Sequence, residues 1–247
     1  VIITILILFI PKVNASTSSA SSYILMDSTT GRVLMSKDMH SKRLIASITK
    51  IMTATLAIES GKLNDVVEVS PIIKEAYGSG IYIEVGEEIT LKDLVYGLML
   101  RSGNDAAMMI SEYIGGTTEE FINMMNNKAK ELGMKETTFY NPSGLPTPSG
   151  NYSSVYDMAL LTKYAMNSPV YQEIVKTKTY KVTTNKKTYL WHNKNKLLKY
   201  DYITGGKTGY TEESGRTLVR TADIDNMKLI VVTIRDSDDW NTHIELY

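Results

Sequence analysis

The spacing of apolar residues changes character along the chain. From Ser22 to Asp38 the text SYILMDSTTGRVLMSKD sets two apolar runs around Thr29 to Arg32, which predicts a β-hairpin. Between Ser47 and Ser60, Ile48, Ile51, Met52, Leu56 and Ile58 are crowded enough for a buried helix, and Gly61 closes it. Two further helices are predicted over LKDLVYGLML and NDAAMMISEYIGG, the latter ending at paired glycines. A fourth begins at Thr117, whose spacing to Glu120 makes a capping box, and runs to Gly133. The stretch NPSGLPTPSGN, with three Pro, reads as a loop, and helix resumes near Ser154. Past about residue 177 the texture is that of strands, in TYKVTT, KTYLWH, GGKTGYT, GRTLVRTA and MKLIVVTIR. The final DWNTHIELY reads as a helix expected to continue past Tyr247.

A hairpin, a block of helices and a run of antiparallel strands together predict an α+β domain over residues 22–247. Its antiparallel sheet is flanked by the helical block, and the first hairpin is free to join the last strands. No repeat, low-complexity segment or linker divides it. With 43% hydrophobic residues in 247, the chain can fill such a core. Lys+Arg and Asp+Glu both number 27, so no net field draws it to nucleic acid or an anionic membrane. The absence of Cys excludes thiol nucleophiles, disulfides and thiolate metal sites. The three His (His40, His192, His243) are scattered, which predicts no metal centre, and His192 is expected to be structural or solvent-facing.

The N-terminus bears on compartment. A ten-residue run, Val1 to Ile10, apolar but for Thr4, precedes Pro11 and Lys12, and a small-residue pattern ends at Ala15, as in the second half of a signal peptide. The run is too short to span a bilayer, so residues 1–21 are expected to be a leader remnant and the body extracytoplasmic, at a bacterial cell surface. A Cys-free exported chain fits that setting.

Chemistry concentrates in three short strings. In ASITK, Ser47 and Lys50 stand one helical turn apart, so the ammonium can reach the hydroxyl. Ser-x-x-Lys by itself arises by chance about once in a chain this long. Ser47 in a first turn also offers an unpaired N–H backed by the helix dipole. A Ser nucleophile needs an adjacent base, and a Lys is a base only if burial or a second cation keeps it neutral. GGKTGYT supplies that cation as Lys207, on a strand where Gly209 would let a substrate backbone approach. RSGNDAA places Ser102 and Asn104 between two helices, facing a cleft.

SITK, SGN and KTG, in that order, resemble the three motifs of the penicillin-recognising serine enzymes. The flanking SGNDAA, NPSGL, YDMALL, NKNKLL and KTGYTEESGRTLV are similar to low-molecular-mass penicillin-binding proteins of the D-alanyl-D-alanine carboxypeptidase type, over about residues 22 to 235. That resemblance implies a β-lactamase/transpeptidase-like fold and a cofactor-free, metal-free serine hydrolase. Its substrate would be a peptidoglycan stem peptide ending in D-Ala-D-Ala, and β-lactams would acylate it. Ser47 would be the nucleophile, Lys50 its base and Ser102 a proton relay to the leaving D-alanine. Asn104 would hold Lys50 and the substrate amide. Lys207 and Thr208 would meet the terminal carboxylate beside Gly209, and the N–H groups of Ser47 and Tyr210 would form the oxyanion hole. Lys194, in NKN, corresponds to a basic residue near the carboxylate in relatives.

The chain departs from relatives at Asn151, where a His often stands. The family often continues into a second β domain and a C-terminal amphipathic helix that attaches to membranes; the sequence is expected to be truncated at its C-terminus, before such segments. Two other readings compete. A class A β-lactamase needs Glu-x-x-Leu-Asn after the Ser-x-Asn motif; the nearest string, Glu59 to Asn64, has an extra residue and lies elsewhere. A catalytically silent wall-binding protein would have no need of chemically competent residues at every motif position.

Overall fold

The computed structural model describes residues 18–146 and 149–247. The signal-peptide pattern through Ala15 lies outside them. Strand β1 (Ser22–Asp27) turns back into β2 (Val33–Lys37) at the expected place, with Asp27 Oδ1 accepting from Thr29 N and Thr30 N inside the turn. The two-residue β3 (Arg43–Leu44) leads to a 3₁₀ turn, Ala46–Thr49, that runs directly into α1 (Lys50–Glu59). Helix α1 is buried from Lys50 to Ala57, as an apolar helix at the centre of a domain must be.

The chain then forms β4 (Val66–Glu68), β5 (Glu88–Thr90), α2 (Leu91–Arg101), α3 (Asn104–Gly115) and α4 (Thr118–Glu131). Thr90 and Thr117 cap α2 and α4, each accepting from the backbone N–H three residues on. After the loop come β6 (Tyr152–Ser153), α5 (Val155–Ala165) and α6 (Pro169–Lys176). Helix α6 was not expected from the apolar pattern. Ser168 caps it and Pro169 opens it, a start signal that its short length had obscured.

The remaining elements are β7 (Thr179–Thr183), β8 (Thr188–His192), β9 (Ile203–Thr211), β10 (Gly215–Ile224), β11 (Met227–Ile234) and α7 (Asp239–Leu246). The main sheet runs β2-β1-β11-β10-β9, all antiparallel, so the first hairpin does join the last strands. Strands β7 and β8 do not enter it. They pair only with each other and lie on α2, where the Tyr180 ring stacks on Tyr96 at 3.6 Å and its hydroxyl donates to Asp93. Aromatic burial against a helix has taken precedence over sheet extension there.

Side-chain alternation along the sheet makes two cores. Ile24, Met26, Val219, Ile230 and Val232 join the large core with α1 to α6, whereas Leu25, Leu229 and Val231 face α7 and the Leu246 side chain. Ser47, Lys50, Ser102, Asn104 and Lys207 lie where the large core meets the edge strand β9.

Candidate active site

Ser47 sits in the 3₁₀ turn, not in the α-helix proper, and the turn hands Lys50 over as the first residue of α1. Lys50 Nζ lies 3.0 Å from Ser47 Oγ, 2.7 Å from Asn104 Oδ1 and 2.5 Å from Ser143 O. The last two are carbonyl oxygens, which can only accept. A neutral amine has two hydrogens and one lone pair. With the hydrogens on Asn104 and Ser143, the lone pair is left for the Ser47 hydroxyl.

Ser102 and Asn104 are closer to helices than a loop reading implies. Ser102 caps the end of α2 in the left-handed region at φ +63°, and Asn104 is the first residue of α3, so only Ser102 and Gly103 separate the two helices. The Asn104 amide is oriented by its other end, which donates to Tyr77 O at 2.5 Å, and Asn104 N donates to Ser79 O. Next to it Asp105 accepts from the backbone N–H groups of Ile81, Tyr82 and Ala106, fixing the segment that faces Asn104.

From β9, Lys207 Nζ donates to Ser102 Oγ at 3.0 Å and to Thr208 O at 2.7 Å. Gly209, expected to let a substrate backbone approach, faces the Ser47 turn. A Cβ there would stand 2.9 Å from Ser47 N and 3.2 Å from Ile48 N and would meet the Thr217 hydroxyl. The Ser47 turn packs against the strand here and leaves no room for a Cβ. Thr208 is partly exposed on β9, and the Tyr210 ring is 65% exposed, free of the core. Lys194 comes near from the segment after β8, its Nζ 3.1 Å from Ser79 Oγ. His192 is exposed, with its Nδ1 3.1 Å from Thr179 Oγ1.

Three lysines thus share one cleft, and burial sets their proton affinity. Lys50 is held well below the ordinary amine range, first by burial, then by the charges of Lys207 and Lys194, against a weaker pull from Asp105. Burial, with Lys194 as the second cause, pushes Lys207 down to about 7. Lys194 itself is lowered by burial and by Arg101.

The backbone at this spot is itself unusual. Ala46, just before Ser47, has φ +47°, an unfavourable conformation for a residue with a Cβ. It persists because the 141–151 loop packs on it: a Cβ on Gly144, itself at φ +86°, would collide with the Ala46 carbonyl. Sequence reasoning found the polar side chains but missed the Ser143 and Tyr77 carbonyls, because a backbone acceptor has no residue-type signature. The NPSGL string was the one trace of the former. Among the described residues no group of three or more His, Asp or Glu side chains is arranged to hold a metal ion.

Comparison with known proteins places this cleft in a family. The family model for D-alanyl-D-alanine carboxypeptidase, peptidase family S11, matches residues 11–238, and the chain belongs to that family. It is 43% identical over 224 residues to the D-alanyl-D-alanine carboxypeptidase DacF of Bacillus subtilis, covering 86% of this chain and 56% of that one. It is 35% identical over 243 residues to DacC of Escherichia coli, covering 92% and 59%. The chain therefore spans little more than half the length of these curated relatives. Among solved structures, a variant of the Streptomyces K15 DD-transpeptidase superimposes with TM-score 0.88 at 29% identity over 94% of this chain and 99% of that one. A D-alanyl-D-alanine carboxypeptidase from Mycobacterium tuberculosis gives 0.87 at 28%, over 92% and 90%.

Proposed function

We propose that this chain is the catalytic domain of a serine D-alanyl-D-alanine carboxypeptidase that trims peptidoglycan stem peptides and is acylated by β-lactams. The observation that carries the reading is the Lys50 amine, held between Ser47 and two fixed carbonyl acceptors. Ser47 Oγ attacks the carbonyl carbon between the two D-alanines while its proton passes to the Lys50 lone pair. The N–H groups of Ser47 and Tyr210 receive the oxyanion, each worth roughly 3 kcal/mol. Collapse breaks the C–N bond. The leaving amine takes a proton through Ser102, which Lys207 contacts, and D-alanine departs from an acyl-enzyme. Lys207 and Thr208 meet the substrate carboxylate, with Lys194 adding positive charge at the mouth. Water then attacks the ester, its proton returning through Lys50, and the shortened peptide leaves.

Opening a β-lactam follows the same first step, but the leaving nitrogen stays tethered to the acyl group. The β-lactamase alternative requires a carboxylate free to activate water. Asp105, the carboxylate beside Asn104, has its oxygens occupied by three backbone N–H groups, which argues against it.

The substrate class sets the compartment. Peptidoglycan lies outside the cytoplasm, and the apolar run Val1 to Ile10 supports export. Among the described residues no helix is long and apolar enough to cross a membrane. The test is intact mass with time after adding benzylpenicillin, together with D-alanine release from a peptide ending in D-Ala-D-Ala. A stable single adduct on Ser47 and release of free D-alanine are expected. A rapidly vanishing adduct with drug turnover would favour the β-lactamase, and no adduct on folded protein would favour the silent wall-binding module.

A further inference from the structure

Lys50 depends on two acceptors, and only one belongs to a recognised motif. Asn104 Oδ1 is built into α3, but Ser143 O lies in residues 141–146, which form no helix or strand that would fix it. What fixes it is Asn151. This side chain is 1% exposed, and all four of its hydrogen-bonding positions are used. Its Oδ1 accepts from Tyr140 N at 2.7 Å and Asn141 N at 3.1 Å. Its Nδ2 donates to Asn141 O at 2.8 Å and, across 102 residues of sequence, to Thr49 Oγ1 at 3.0 Å.

The contact runs both ways along the chain. Thr49 immediately precedes Lys50, and Ile45 N, two residues before the nucleophile, donates to the Asn151 carbonyl at 3.1 Å. On the loop side, Asn141 Oδ1 accepts from Ser143 N, Ser143 Oγ and Gly144 N, so the residue that Asn151 grips is the one that shapes the Ser143 turn. The side chains of Asn151 and Asn141 thus form a two-step tie from the nucleophile's turn to the carbonyl facing Lys50. The buried Thr53 hydroxyl adds a parallel strut to Pro142 O at 2.6 Å.

We propose that Asn151 is a positioning residue for the reaction: through Asn141 and Thr49 it holds the Ser143 carbonyl on Lys50 and thereby directs the amine's lone pair at Ser47. The inference rests on the assignment of Lys50 as base. A carbonyl that drifts leaves one Lys50 hydrogen without its acceptor, and the amine then turns toward whatever oxygen is nearest, Ser47 included, as a donor instead of a base. Misplacement of that order costs up to about 100-fold in rate. Loosening the loop also admits water beside Lys50, relieving the burial that is the main cause of its low proton affinity; Lys207, Lys194 and Asp105 are the other charges that act on it.

The test compares penicillin acylation of the full chain with that of Asn151→Ala and Thr49→Val across pH. Thr49→Val is nearly isosteric and removes only the hydroxyl that Asn151 Nδ2 reaches. Asn151→Ala is expected to lower the acylation rate constant of folded protein roughly 10- to 100-fold and to move the acid limb of the profile to higher pH. Thr49→Val should shift both in the same direction by less, and should decide the matter if Asn151→Ala does not fold. Variants that are folded, acylate at the wild-type rate and keep the wild-type pH profile would overturn the proposal, whatever their melting temperatures. Wild-type protein that takes no penicillin at all would instead overturn the functional reading beneath it.

Discussion

Two cations are buried in neighbouring strands of one sheet, and they are treated oppositely. Lys207 on β9 pairs across the ladder with Val219, so Arg220, the next residue on β10, points to the other face. Lys207 is met by oxygens of Ser102 and Thr208, and burial, then the charge of Lys194, lowers its hold on protons. Arg220 is fully buried beneath α7, and among the described residues none of its guanidinium nitrogens has a hydrogen-bond partner. The Trp240 ring, 4.2 Å from the guanidinium carbon, takes that place. Burial pushes Arg220 down only to about 9, still charged at neutral pH. A lysine can give up its proton and become a base, so the cleft uses lysines. An arginine cannot do so at working pH, and on the far face it serves only to pack α7 against the sheet.

This contrast predicts which changes matter. Ser47→Ala should abolish the covalent penicillin adduct and lower peptide turnover by about a million-fold, with the fold intact by circular dichroism. An adduct on the variant would show that another residue is the nucleophile. Lys207→Gln should cost about 100- to 1,000-fold in acylation, since it removes both a charge at the carboxylate and the partner of Ser102.

Lys207 also carries a stability signature. Its folded proton affinity, about 7, lies below the unfolded 10.5, so between those pH values the unfolded chain binds more protons and stability rises with pH. Chemical denaturation across that window should show a shallower rise for Lys207→Gln than for wild type.

Lys194→Ala should be milder, a few-fold on rate. Removing its charge raises the proton affinity of Lys50, so the acid limb of the acylation profile should move to higher pH. An unmoved limb would separate Lys194 from the site electrostatically. Smallest in its effect on activity is Arg220→Met, which should acylate at the wild-type rate. Replacing a buried, unpaired charge by an apolar side chain of similar length should leave stability unchanged or raise it, by about 1–4 kcal/mol at most. A large loss of stability on denaturation would show that the stacking on Trp240 outweighs the cost of burying the charge.

How much of this was open to reading beforehand differs by element. The first hairpin, α1 to α5 and the last three strands follow from local periodicity and caps, because amphipathic patterns and side-chain caps act within a few residues. Helix α6 escaped because eight residues carry little periodicity, and the separation of the β7–β8 hairpin from the main sheet is not legible because pairing depends on what else is available to bury Tyr180 and Trp191.

The sequence by itself determined the chemistry available: a Ser and a Lys one turn apart, two further motifs in order, no thiol and no net charge. Only the tertiary structure decided how these are poised. It brought Ser143 O and Asn104 Oδ1, 93 and 54 residues from Lys50, onto one amine, and turned Gly209 toward the backbone of Ser47 and Ile48. It also tied the loop to Thr49 through Asn151. The physical reason is that a residue type fixes what a group can donate or accept, whereas the direction of a lone pair and the burial that keeps a lysine neutral depend on atoms contributed from across the whole chain.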